Sequence, residues 1–143
     1  MDPQAVYFTD IEDKHEILDK LVELSFRAGK VPDHEEFKTA IFDREKIMST
    51  GIGLGVAVPH AKLPSIEEFF VTIGILRQPV DWQAIDDKPV SIVFLIGGPA
   101  DRQNDYLRIL SKLTLYMKNE KRREALVAAD SAQEILRHFE PQV

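Results

Sequence analysis

Apolar side chains set the first rhythm of this chain. Ile17, Leu21, Leu24 and Ala28 recur at three- and four-residue intervals and predict a helix over 14–28. Asp13 and Glu16 can form a capping box ahead of it, and Gly29 is placed for a left-handed stop. A second box, Asp33 with Glu36, opens a helix over 34–45 with Phe37, Ala40 and Ile41 as its apolar face and Arg44 near its end. The period then changes. Phe69 to Leu76 and Val90 to Ile96 are apolar runs rich in β-branched and aromatic residues, and they read as buried strands. A short strand around Val80 to Trp82 fits between the turn signals Gln78-Pro79 and Asp86-Asp87-Lys88-Pro89. Gly97-Gly98-Pro99 ends the second run, after which Tyr106, Leu110, Leu113 and Met117 form a helical stripe. A short helix around Glu120 to Ala128 follows, and Ser131 with Glu134 caps a last helix through Phe139. Helices, then strands, then helices predict an α/β fold with a central sheet covered by helices on both faces. No repeat or linker divides the chain, and 143 residues fit one domain.

One stretch keeps a different pattern. From Gly51 to Val58 the residues alternate strictly, with Ile52, Leu54, Val56 and Val58 on one side and Gly51, Gly53, Gly55 and Ala57 on the other. This predicts a strand with one apolar and one bare face, open to close approach by another backbone or a ligand. Each glycine costs roughly 0.5–1 kcal/mol relative to alanine, so the bare face is expected to have a use. The spacing matches neither a dinucleotide-binding G-x-G-x-x-G nor a P-loop.

Composition narrows the function. The formal net charge is −6 and the longest basic run is Lys121-Arg122-Arg123, which argues against nucleic-acid binding. The absence of cysteine excludes disulfides, thiolate metal sites and cysteine nucleophiles. No apolar run approaches the ~20 residues that span a bilayer, and no signal pattern opens the chain, so a cytoplasmic protein without direct membrane insertion is expected. No site for nucleotide, flavin or metal is evident, and no cofactor is expected. His15, His34 and His138 lie among charged neighbours on predicted helices, without metal-ligand spacing. Asp86-Asp87 reads as a solvated turn rather than an acid–base pair, and Trp82 as a packing residue. Gly97-Gly98-Pro99 fits a plain turn as well as the wall of a crevice.

His60 is the candidate for chemistry. Pro59 keeps Val58 extended, so the imidazole leaves a defined strand end. Near pH 7 it offers a neutral nitrogen, which can attack phosphorus and carry a phosphoryl group. Arg44 could grip such a group bidentately, Ser49 and Thr50 offer hydroxyls, and the glycines offer N–H groups. The same pattern fits a structural histidine in a tight glycine-rich turn.

Arg44-Glu45-Lys46, Ser49-Thr50-Gly51-Ile52-Gly53 and Ala57-Val58-Pro59-His60, with Ala84-Ile85-Asp86-Asp87-Lys88-Pro89-Val90 and the Tyr106-Leu107 helix downstream, resemble the fructose/mannitol-type enzyme IIA domains of the phosphotransferase system. The resemblance runs from about Ile11 to Phe139. It implies a mixed sheet flanked by helices, and a phosphotransferase component that accepts phosphate on His60 from the carrier HPr or a paralogue. It further implies Arg44, Ser49 and Thr50 beside the phosphate, and a IIB permease domain as acceptor. Segments such as Ala57-Val58-Pro59-His60-Ala61-Lys62-Leu63 look closer to the nitrogen-regulatory branch, whose members act on target proteins such as a kinase or channel. Many members carry a second histidine where this chain has Tyr106. Tyrosine can donate to phosphate but stays neutral near pH 7, so Lys62 or Arg102 is the alternative source of positive charge.

Overall fold

The computed structural model describes residues 5–139. The elements, in order, are β1 (Val6–Thr9), α1 (Lys14–Arg27), α2 (His34–Ile47), β2 (Gly51–Gly53), β3 (Val56–Ala57) and β4 (His60–Leu63), then β5 (Phe70–Val80), β6 (Val90–Pro99), α3 (Gln103–Met117), α4 (Glu120–Ala128) and α5 (Ala132–Arg137). They form a mixed sheet in the order β1-β5-β6-β3-β2, with β4 also on β6. The β1/β5, β6/β3 and β6/β4 pairs are parallel; β5/β6 and β2/β3 are antiparallel.

Alternation along β6 divides the core. Val93 and Leu95 face a layer with Ile17, Leu18, Leu21, Phe37 and Ile41 from α1 and α2. Ile92, Phe94 and Ile96 face the other layer, with Tyr106, Leu113, Met117, Leu126 and Ile135 from α3, α4 and α5. Both faces are buried, which is why this strand reads as a continuous apolar run. The expected helices and central strands are therefore present, in an α/β/α sandwich. Asp33 and Ser131 cap their helices as the boxes predict, whereas Asp13 accepts from His15 N rather than from the first-turn glutamate. Gly29 has φ +75°, and Lys30 N–H reaches Ser25 O at 3.0 Å, a Schellman stop for α1.

Three expectations change. The Gly51–Val58 stretch is a hairpin, not one strand. Leu54 (φ 61°) and Gly55 (φ 76°) both enter the left-handed region and turn the chain between β2 and β3. Val56 and Val58 are buried while Ile52 and Leu54 are exposed, so the apolar side of the alternation is split by the turn. The bare side is used by protein: a Cβ on Gly51 would lie 2.8 Å from Ala84 Cα. Second, β6 runs beyond Ile96 to Pro99, because Phe70 and β4 continue to pair with it. Phe70 and Phe69 rings cover Gly97 and Gly98 so closely that a Cβ would meet them at 2.4 and 2.2 Å. Third, β1 was not expected; it adds a parallel edge to β5, from Val6 opposite Ile73 to Thr9 opposite Leu76. The short strand near Val80 is only the end of β5, and Trp82 lies beyond it, fully buried.

One irregularity sets up the site. β3 and β4 both lie along β6, and the register carries over unchanged from Ala57 opposite Val93 to His60 opposite Ile96. They are one line of chain interrupted at Val58-Pro59. Proline has no N–H for a ladder, but Pro59 O still accepts from Ile96 N at 2.9 Å.

Candidate phosphoryl-transfer site

His60 opens β4 immediately after that interruption, half-buried. Its Nδ1 lies 3.0 Å from Val58 O. A carbonyl can only accept, so Nδ1 carries the hydrogen and Nε2 keeps a free lone pair. Burial holds the ring's pKa below the ordinary histidine value. The Val58 hydrogen bond and the Glu45 carboxylate oppose that shift, while the positive charges of Arg44 and Lys62 reinforce it. The imidazole is therefore neutral at pH 7, the form that can act as a nucleophile.

Tyr106, in the first turn of α3, packs against it with ring centroids 5.0 Å apart and planes at 36°. Its hydroxyl is buried and has no hydrogen-bond partner among the described residues. Burial pushes its pKa up to about 12, against the pull of Arg44, so it is a neutral donor at any physiological pH. Lys62 places its ammonium 4.7 Å from the centre of the Tyr106 ring and donates to Gln103 Oε1. Arg44 Nη1 donates to Met48 O at 2.7 Å.

The structure thus gathers His60, Arg44 and Tyr106, and adds Lys62 as the second cation. Arg102 is engaged elsewhere, with Asp105 at 2.7 Å. Ser49 and Thr50 lie between Arg44 and the hairpin, but their hydroxyl hydrogens are committed. Ser49 Oγ donates to Trp82 O at 2.6 Å, and Thr50 Oγ1 donates to Glu45 Oε1. Asp86 caps the hairpin turn, accepting from Leu54 N at 3.2 Å and Lys88 N at 3.1 Å. Its carboxyl is held below the usual range chiefly by the Lys88 N–H. His15 and His34 pack edge-on against Phe42 and Phe26. Among the described residues no three His, Cys, Asp or Glu side chains are grouped to hold a metal ion, and no helix is long and apolar enough to cross a membrane.

Sequence reasoning missed Glu45, Lys14 and the hydrogen-bonding role of Trp82. Glu45 is buried with Lys14 paired to it at 2.9 Å, and Trp82 Nε1 donates to Thr50 Oγ1 at 3.3 Å. A signal was present. Glu45 continues the Phe37–Ile41 stripe of α2 by four residues, and Lys14 precedes Ile17 and Leu18 on the buried side of α1.

Fold and candidate site together describe an α/β/α protein with one neutral imidazole, its Nε2 lone pair free, in the field of two cations, Arg44 and Lys62. The chain belongs to the family of the phosphoenolpyruvate-dependent sugar phosphotransferase system, EIIA 2, whose model matches residues 1–141. It is 34% identical over 125 residues to the fructose-specific EIIABC component of Bacillus subtilis, covering 87% of this chain and 20% of that protein. It thus spans about a fifth of that relative's length. It is equally, 34%, identical over 119 residues to the nitrogen regulatory protein of Bradyrhizobium diazoefficiens, covering 80% and 76% of the two chains. The crystal structure of nitrogen regulatory protein IIA-Ntr from Neisseria meningitidis superimposes with a TM-score of 0.90 at 28% identity, over 97% of this chain and 95% of that one.

Proposed function

We propose that His60 accepts a phosphoryl group on Nε2 from the phosphohistidine of an HPr-like carrier, and that the phosphorylated protein acts chiefly in nitrogen-type regulation. The observation that carries this is the fixed tautomer. With Nδ1–H held on Val58 O, Nε2 is the only ring nitrogen free to attack. In the transfer, the Nε2 lone pair forms a bond to phosphorus as the donor's P–N bond breaks. The leaving imidazole keeps that electron pair. His60 becomes cationic, and the Val58 carbonyl stabilises the charge through the existing hydrogen bond. Arg44 and the free hydroxyl of Tyr106 donate to the phosphoryl oxygens. Ser49 and Thr50 would join them only by releasing Trp82 O and Glu45.

The surroundings suit a protein donor. Ile47, Met48 and Ile85 are 80%, 67% and 81% exposed on segments flanking the site, an apolar rim of the kind that protein partners cover. Phosphorylation adds about −1.5 to −2 charges at pH 7 to an already acidic protein, enough to alter the choice of a regulatory target. The structural likeness to IIA-Ntr and the neutral Tyr106 favour regulation over rapid sugar relay. The reading places the protein in the cytoplasm, with a kinase or channel as the kind of target.

The test is incubation with phosphoenolpyruvate, enzyme I and HPr or their nitrogen-branch paralogues, followed by intact mass. An acid-labile phosphoryl adduct on the wild type and none on His60→Ala is expected. An adduct on His60→Ala, or none on the wild type with any donor, overturns the reading. The equal identity to a fructose-specific relative supports a second reading, in which the acceptor is a IIB permease domain. Transfer of label from this protein to a IIB domain faster than to water would favour it. A binding module indifferent to phosphate would instead show equal partner affinity for wild type, His60→Ala and His60→Asp.

A further inference from the structure

Glu45 has an unusual position for an acid. It lies in the last turn of α2, at the negative end of the helix dipole, where Arg44 and Lys46 suit the field and a carboxylate opposes it. It is also buried, and an unpaired buried carboxylate is strongly unfavourable. The surroundings answer this with three donors. Thr50 N reaches Oε2 at 2.8 Å, Thr50 Oγ1 reaches Oε1, and Lys14 Nζ reaches Oε2 at 2.9 Å. Lys14 Nζ also donates to Trp82 O at 3.1 Å, the carbonyl that Ser49 Oγ uses, and Trp82 Nε1 returns to Thr50 Oγ1. The bonds close a ring that joins α1, the end of α2, residues 49–50 and the segment after β5.

Arg44 is the neighbouring residue, about 100° round the helix, and its charge acts on both His60 and Tyr106. Its guanidinium holds Met48 O. The turn at Met48-Ser49-Thr50 is therefore gripped twice, at Met48 by Arg44 and at Thr50 by Glu45. The first grip is only as firm as the second, because a carbonyl on a loose turn cannot orient a guanidinium. We infer that Glu45 is a positioning residue for phosphoryl transfer: by clamping Thr50 it fixes the turn that holds Arg44 beside His60. This rests on the reading that His60 takes a phosphoryl group.

The groups facing His60 are Arg44 and Glu45 from α2, Lys62 from β4 and Tyr106 from α3. Of these, Glu45 is the one whose negative charge favours the protonated ring.

The experiment uses the full chain as Glu45→Gln, Arg44→Ala and the double variant, with the enzyme I and carrier mixture described above. Glu45→Gln is expected to slow phosphorylation of His60 by about tenfold or more, the order of loss that follows misplacement of a contact by an ångström. In the Arg44→Ala background it is expected to cost less than about twofold, because the group it positions is already gone. A general loss of structure would reduce both backgrounds alike, and that result overturns the proposal, as does an unchanged rate in Glu45→Gln alone. Should Glu45→Gln not fold, Thr50→Val keeps the Lys14–Glu45 pair and removes the hydroxyl. It is expected to slow transfer in the same background-dependent way, with Thr50→Ser restoring the rate; equal loss in both backgrounds counts against. A donor-free measurement separates this proposal from the reading beneath it. The heteronuclear NOE at Arg44 Nε is expected to fall in Glu45→Gln, or in Thr50→Val, and the His60 titration to move to lower pH in Glu45→Gln. If the wild type takes no phosphate yet Arg44 loosens, the phosphoryl reading fails and with it the role in transfer, while the clamp of Glu45 on Arg44 stands. If the wild type is phosphorylated and Arg44 stays rigid in the variant, the positioning role fails alone.

Discussion

The β5–β6 pair and the β2–β3–β4 edge share one sheet but are built in opposite ways. β5 and β6 are 11 and 10 residues long. They are apolar over most of their length and packed on both faces by helices. The edge consists of strands of three, two and four residues, with two left-handed positions, Leu54 and Gly55, between β2 and β3 and a proline between β3 and β4. Beside it lie the buried polar ring of Glu45, Thr50 and Trp82 and the Tyr106 hydroxyl, which has no partner among the described residues. The comparison teaches where each kind of free energy sits. Burial of hydrocarbon holds the centre, whereas the edge carries backbone strain and buried polarity, and it is there that one imidazole is held in a single orientation by Val58 O.

Four outcomes would break or sharpen that contrast. The largest concerns the centre. Phe94→Ala removes a fully buried ring from the α3 side of β6 and should lower stability by about 3–5 kcal/mol, read by chemical denaturation, since large core truncations leave a cavity. A much smaller loss would mean the centre is not the stabilising region.

The second uses the edge to separate stability from function. Tyr106→Phe deletes a buried hydroxyl that has no partner among the described residues, so the unphosphorylated protein should gain up to about 1–3 kcal/mol, the usual penalty of such a group. The same variant should hold its phosphoryl group less well, shifting the exchange equilibrium toward the carrier. Two changes of opposite sign would show that the hydroxyl is kept for the phosphoryl group; a loss of stability in both forms would contradict it.

The third is pH dependence. Acceptance needs neutral Nε2, and the ring's pKa is lowered from 6.5 by burial. The acceptance rate should therefore be flat as pH falls from 8 to the ordinary histidine value, and decline only at more acid pH. In the fold, the unfolded chain takes up the proton first as pH drops below 6.5, so stability should begin to fall there and level off below the folded pKa. A rate that halves at or above pH 6.5 would place the pKa on the wrong side.

The smallest is local. Leu54 holds φ 61°, which costs a residue with a side chain roughly 1–2 kcal/mol. Leu54→Asn would create an Asn-Gly turn of the preferred hairpin type and should raise stability by about 1 kcal/mol or less. A loss instead would indicate that the exposed leucine packs against something that stabilises the edge.

The same contrast explains what could be read in advance. Val90 to Ile96 announces a buried strand because both its faces need hydrocarbon, and the stripe from Tyr106 to Met117 announces a helix on top of it. Gly51 to Val58 obeys period two whether it runs straight or folds back at Leu54-Gly55, since only the sign of φ separates the alternatives. The prolongation of β6 through Gly97 and Gly98 depends on Phe69 and Phe70 arriving from a distant part of the chain. His60, Arg44 and Tyr106 were recognisable by residue type and by resemblance. The commitment of the Ser49 and Thr50 hydroxyls was not, because their acceptors are Trp82 O, 33 residues away, and Glu45, whose place on the buried stripe of α2 does not reveal which groups its carboxylate accepts from.

The hydrogen bond from His60 to Val58 O has an evolutionary consequence. The group that selects the ring's tautomer is main chain, so no substitution at position 58 that preserves the backbone can remove it. On the proposed phosphoryl reading, the side chain on α3 that faces the imidazole, Tyr106 here, can be exchanged to retune how tightly the group is held without altering that choice. Nε2 stays the free nitrogen through any such exchange, because Val58 O still holds Nδ1.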